Sequence, residues 1–217
     1  MIDLHTHSLL SDGSLLPSEL VTRAEKLGYR VIAITDHVDT SNFEWIVANL
    51  VRVCKDLNKR GNIKVIPGAE ISYISPGLLA GFTQTIRKLG AKIIVVHGET
   101  IVEPVIPGTN RKAVEIGVDI LAHPGLISQE EARIASKNNV CLEISTRRGH
   151  CYTNGHVVNM ARLSGAKLVL DTDAHSPGDL VTIEEARAIG RGAGLSEEEI
   201  EAVWQNMYAL VEKIERR

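Results

Sequence analysis

The residues best equipped for chemistry are histidines and carboxylates that stand where apolar runs end. The first run, Ile2-Asp3-Leu4, leads directly into His5-Thr6-His7. Side chains alternate across a strand, so Asp3, His5 and His7 share one face and two imidazoles meet at one strand's end. The same placement recurs at His37 in ITDH, Glu70 in PGAE, His97 in VVHGE, His123 in LAHPG, and Asp173 with His175 in DTDAH. Six of the eight histidines therefore follow apolar runs. Taken singly, such a histidine is more often a hydrogen-bonded structural residue, and Asp173 alone would serve as a turn or helix cap. Taken together, imidazoles and carboxylates form the donor set that holds borderline divalent ions such as zinc, manganese or iron.

These residues must be gathered by the elements that carry them. Short β-branched runs lie at residues 2–4, 31–35, 63–66, 93–96, 119–122, 140–144 and 168–170. Near-continuous apolar strands of this kind suit a parallel sheet covered by helices. Helix-like segments alternate with them. One is PSELVTRAEKL at 17–27, where Pro17 suits the first helical turn and Gly28 the stop. The βα unit repeats about seven times, which predicts an α/β barrel of parallel strands with outer helices, its strand ends opening on one face. In a closed barrel the first and last strands are neighbours, so His5, His7, Asp173 and His175 are expected to meet at the seam. The stretch HGETIVEPVIPGTN at 97–110 exceeds an ordinary connection and belongs to that same face. After the last strand, 182–189 and 196–214 read as helices. The second opens with SEEE, the form of a capping box, and Val203, Met207, Leu210, Val211 and Ile214 mark its packed face.

A chain of 217 residues with 44% hydrophobic and 24% charged residues fits one domain over 1–217. The formal charge of -3 supplies no general field for nucleic acid, and with 4% aromatic residues a long single-stranded partner is not expected. Cys54, Cys141 and Cys151 are odd in number and form no CxxC pair, which suits free thiols in a reducing cytoplasm. No apolar run is long enough to span a bilayer, so no membrane partner is expected.

HTHS followed by SDG, ITDH, PGAE, VVHGE, AHPG and DTDAH resemble, in order and over essentially the whole chain, the PHP family, named for polymerase and histidinol phosphatase. The resemblance implies a distorted (β/α)7 TIM-like barrel with two or three divalent ions, and members that are mostly phosphoesterases. It assigns His5, His7, Glu70 and Asp173 to one ion. Glu70 would bridge to a second ion held also by His97 and His123, and Asp12, His37 and His175 would hold a third. Ser11-Asp12-Gly13 is equally an ordinary turn tripeptide. Only a carboxylate has two oxygens to share between ions, as Glu70 would.

Three divalent ions facing three carboxylates leave a positive pocket that suits a small anionic phosphate ester. The expected reaction is in-line attack on that ester by a metal-bound hydroxide. STRRGHCYTNGH at 145–156 follows the sixth run on the same face. There Arg147 or Arg148 could fork a phosphate, Asn154 could join them, and His150 could protonate the leaving group. His156 and Glu143 are expected to be structural, Glu143 in the barrel interior. Histidinol phosphate is the leading substrate on the resemblance. A nuclease or nucleotide phosphoesterase, and a catalytically silent metal-binding module, are the alternatives. The short chain and the absence of a bridging lysine weigh against an amidohydrolase-type barrel. Oligomeric state is not legible.

Overall fold

The computed structural model describes residues 1–216. Its elements run β1 Ile2–Asp3, α1 Pro17–Lys26, β2 Val31–Ile34, β3 His37–Val38, α2 Phe43–Asn58, β4 Lys64–Ile71, α3 Leu79–Lys88 and β5 Ile93–His97. Then follow α4 Thr109–Ile116, β6 Ile120–Ala122, α5 Gln129–Asn138, β7 Cys141–Ser145, α6 Asn154–Ser164, β8 Leu168–Asp171, α7 Ile183–Gly192 and α8 Glu197–Glu215. Every strand pairing is parallel, in the order β1-β2-β4-β5-β6-β7-β8. The β3 strand lies off this path: the second run breaks at Thr35-Asp36 and resumes as His37–Val38, paired with Glu70 and Ile71 of β4. Seven βα units thus contain eight strands, and the sheet curls into a nearly closed TIM-like barrel.

Where the apolar run at 63–66 ends, β4 does not. It pairs with β2 as far as Pro67, opposite Ile34, and with β5 from Gly68, opposite Ile93. A proline lacking an N–H is tolerated at this handover. Gly68 is required there, because a Cβ would stand 2.5 Å from Ile93 Cγ2 and 2.7 Å from Thr35 Cγ2. The extension past Pro67 is what carries Glu70 to the barrel's mouth.

The seam between β1 and β8 is closed partly by side chains. Leu4 N donates to Asp171 Oδ1 at 2.6 Å, and Thr172 donates to Asp3 through N at 3.2 Å and Oγ1 at 2.5 Å. Main-chain pairing resumes just beyond, with Asp173 N donating to His5 O and His7 N to Ala174 O, both at 2.9 Å. The expected ligand segments therefore zip the barrel shut themselves.

At the other end of the barrel, α8 begins as its sequence predicts. Ser196 Oγ accepts from Glu199 N and Ser196 N donates back to the Glu199 carboxylate at 2.8 Å, a cap that contributes about 1 kcal/mol. Ile200, Val203, Met207 and Leu210 are buried, Asn206 donates to Leu168 O, and Glu215 pairs with Lys64. Both partners sit at strand N-termini, so α8 covers the face opposite the histidines. Among the described residues no helix is long and apolar enough to cross a membrane.

Candidate metal centre

The barrel's C-terminal face holds a cavity of about 420 Å³, and at its floor the strand ends deliver a knot of fully buried donors. His5 Nε2 and His7 Nε2 stand 3.0 Å apart. Glu70 Oε2 lies 3.3 Å from His5 Nε2, 3.4 Å from His7 Nε2 and 2.8 Å from His37 Nδ1. Asp173 Oδ1 lies 3.2 Å from His7 Nε2. Asp173 reaches this position with a left-handed backbone, φ 51°, and His123 does the same with φ 27°. Side chains larger than glycine hold such angles only when surrounding structure imposes them, and here the strain sits among the donors.

On the seam side, Asp12 Oδ1 approaches His175 Nε2 at 3.2 Å and Oδ2 approaches His37 Nε2 at 3.6 Å, with the His7 and His175 rings stacked 4.1 Å apart. His7, Asp12, His37 and His175 each place one ligand atom within 4.8 Å of the others. The loop bearing Asp12 is held by buried Asp36, which accepts from Ser8 N at 2.7 Å, Ser8 Oγ at 2.6 Å and Ser11 Oγ at 2.6 Å. The four residues expected at the seam do meet there.

On the far side, His97, His123 and His150 converge within the same 4.8 Å limit, and His123 also groups with His5 and Glu70. His150 sits on a 3₁₀ turn after β7, buried, with Nδ1 2.8 Å from Asp173 Oδ2. It is embedded in the cluster, a position that sequence spacing alone does not give. Seven of the eight histidines are in contact with it; the eighth, His156, donates Nε2 to Ile127 O at 2.8 Å, away from the cavity. Arg147 lines the cavity, donating to Asp173 O at 3.1 Å and contacting His175 Nδ1.

Two expected substrate residues lie elsewhere. Arg148 is exposed and does not line the cavity. Asn154 spends its amide on the main chain of Ser145, accepting at 3.1 Å and donating at 2.8 Å, and so anchors the loop rather than facing a ligand. Conversely, Glu143, expected only to fill the barrel, accepts from His5 Nδ1 at 2.6 Å. This fixes the His5 tautomer and aims Nε2 into the knot. Glu103, on the long loop, is a further arrival without a motif: its Oε2 lies 2.9 Å from His97 Nε2. The alternation of Glu143 with Cys141 and Ser145 could have marked it; the loop offered no periodicity to mark Glu103.

The electrostatics are those of a site prepared for cations. Burial, with His37 beside it, holds His7 down to about 3, and burial with His97 and His150 nearby holds His123 well below the usual histidine range. Both keep free lone pairs at neutral pH. Burial would raise Glu70 and Asp173, but His5 and His37 hold Glu70, and His5, His150 and His7 hold Asp173, well below the carboxylate range. His7 Nδ1, His123 Nδ1 and Glu70 Oε1 are buried without a hydrogen-bond partner. Leaving such groups unpaired costs several kcal/mol, and a divalent ion is what these donors fit.

A family model described as PHP domain matches residues 3–97. An uncharacterized protein of Methanocaldococcus jannaschii is 46% identical over 201 residues, spanning 92% of this chain and 92% of its own. The chain belongs to the PHP domain family. Two solved structures share the fold. One is archaeal ribonuclease P with mature tRNA, at TM-score 0.75 and 18% identity, over 100% of this chain and 92% of that one. The other is histidinol phosphate phosphatase from Lactococcus lactis with zinc, L-histidinol and phosphate, at TM-score 0.62 and 19% identity, over 90% and 94%.

Proposed function

We propose that this PHP protein is a metal-dependent phosphoesterase acting on a small phosphate ester in the cytoplasm, with histidinol phosphate the first candidate. The observation that carries the proposal is the convergence of seven imidazoles with Glu70, Asp12 and Asp173 on one cavity, the nine expected ligands among them. His5, His7, Glu70 and Asp173 would hold one ion, Glu70 with His97 and His123 a second, and Asp12, His37 and His175 a third. When bound, such ions lower the pKa of coordinated water into the neutral range and draw charge from phosphate oxygens.

The chain's own groups supply the rest. Arg147, half-buried at the rim, turns a guanidinium toward the space above Asp173 and His175 and binds the phosphate oxygens there. Glu143 holds His5 in one orientation, and Asp36 holds the loop that presents Asp12. Asp39, Asn42 and Tyr73 line the outer wall, where the alcohol portion of the ester lies.

The likeness to a ribonuclease P chain favours a second reading, in which the protein associates with RNA. Its charge of -3 supports the first. The deciding experiment is elemental analysis of protein purified without added metal. It is paired with a phosphate-release panel of histidinol phosphate, an aryl phosphate, mononucleotides and short RNA, assayed with zinc, manganese or iron. Release from small esters and not from RNA is the expected result. No release from any of them would end the phosphoesterase reading, and cleavage of RNA alone would favour the second.

A further inference from the structure

Glu103 stands on the 98–108 loop, whose base is locked. Glu99 Oε1 accepts from Gly108 N at 3.0 Å and Asn110 N at 2.9 Å, while Asn110 Oδ1 accepts from Glu99 N at 2.9 Å and Nδ2 donates to Pro124 O at 2.8 Å. The neighbouring loop presses so closely that a Cβ on Gly125, φ 58°, would stand 2.0 Å from Glu99 O. From this base the loop turns Glu103 inward over the cup. Tyr73, held at φ 56°, donates its hydroxyl to Glu103 Oε2 at 3.2 Å from across the cavity.

Glu103 faces two imidazoles, one through each carboxylate oxygen. His97 Nδ1 is 3.1 Å from the carbonyl of Gly98, which only accepts, so this nitrogen carries the hydrogen. Nε2 of the same ring faces Glu103 Oε2, 2.9 Å away. His150 has a carboxylate at each nitrogen, Asp173 Oδ2 at 2.8 Å from Nδ1 and Glu103 Oε1 at 3.3 Å from Nε2. His123 lies between, its ring centroid 4.5 Å from that of His97 and 3.9 Å from that of His150. The ligand atoms of His97, His123 and His150 lie within 4.8 Å of one another, with Glu103 beside two of them. Imidazoles with a carboxylate are donors that zinc or a similar ion takes, and Asp173 orients His150 as carboxylates orient ligand histidines.

We propose that Glu103 and His150 complete, with His97 and His123, the ligand set of the ion on this side of the cup. The proposal rests on the metal reading above and adds two protein ligands to the Glu70, His97 and His123 expected for this ion. The identity of residue 103, which lines the cavity, therefore tunes how tightly this ion is retained.

The test uses the full chain and three proteins: wild type, Glu103→Gln, which keeps the side chain's size, and Glu103→Ala. Each is stripped with chelator, reloaded with zinc or cobalt(II) and dialysed. Bound metal per chain is counted, the weakest affinity is measured by chelator competition, and the cobalt absorption spectrum is recorded. Thermal melting of the stripped proteins checks that all three fold. The expected result is an affinity for one ion lower by about 10- to 100-fold in both variants, with an altered cobalt spectrum and the remaining ions unchanged. Equal stoichiometry, affinity and spectrum in all three would overturn the assignment and leave protons to bridge these groups. Wild type that takes up no ion would instead sink the metal reading itself, and this assignment with it.

Discussion

At the floor of the cup, His5, His7, Glu70 and Asp173 leave strand ends and are fully buried, whereas at the rim Asp12, Glu103 and Arg147 come from loops and remain partly open to solvent. The floor is further propped from below by Asp3, Glu143 and Asp171, carboxyls sealed inside the barrel. The rim is propped sideways, by Asp36 under Asp12 and by the Glu99–Asn110 latch under Glu103. Backbone geometry thus fixes the donors of the floor. Side-chain hydrogen bonds fix those of the rim, which leaves the rim free to differ in residue type without disturbing the barrel.

This contrast is open to direct attack. Glu70→Gln strikes the floor where three imidazole nitrogens face one oxygen. Loss of at least one ion by elemental analysis is expected, with phosphate release lower by about 1000-fold; retained activity would erase the distinction between floor and rim.

The next largest effect is on stability. Burial raises Asp3 to about 6, against hydrogen bonds from Thr172, and raises Asp171 as well. Well below the ordinary aspartate range the Asp3 carboxyl is protonated whether the chain is folded or not. As pH rises toward 6 the unfolded chain has lost that proton and the folded chain has kept it, so folding becomes less favourable, on the order of 2–3 kcal/mol. Denaturant unfolding of chelator-stripped protein should record this fall, and Asp3→Asn should flatten it. The rim titrates in the opposite sense: contact with His97 holds Glu103 down to about 2, so its contribution to folding grows as pH rises through the ordinary carboxylate range and is complete above it.

Smaller still is Glu143→Gln, which leaves every proposed ligand in place but removes the charge that orients His5. Competition titration should find the floor ion weakened by about 10-fold or somewhat more. Arg147→Ala should leave metal content intact and raise KM for the phosphate ester by about 10-fold, the worth of one charge-assisted hydrogen bond. A change in metal content instead would make Arg147 part of the support for Asp173.

The same contrast explains what could be read in advance. Period-two alternation and apolar runs marked the strands, and strand ends marked His5, His7, Glu70, His123 and Asp173, because a parallel barrel sends all such ends to one face. The split of the second run into β2 and β3, and the passage of β4 through Pro67, were not legible: both depend on which neighbour each half-strand pairs with. Arg147 was legible by its charge, while Arg148 beside it was not separable from it, since which of two adjacent side chains turns inward is settled by the loop's own fold. Asn154 is a similar case, its amide captured by Ser145. Glu103 and Glu143 needed distances, because their roles come from partners more than a strand away.

Closure of the barrel by Asp3 and Thr172, 169 residues apart, has a kinetic consequence. Contacts between such distant parts of a chain form late, since the entropy of closing so long a loop is lost before any of them forms. A nascent chain would carry its first two histidines bare until the final strand is made. A metal ion meeting those two imidazoles early would find neither Asp173 nor His175 beside them.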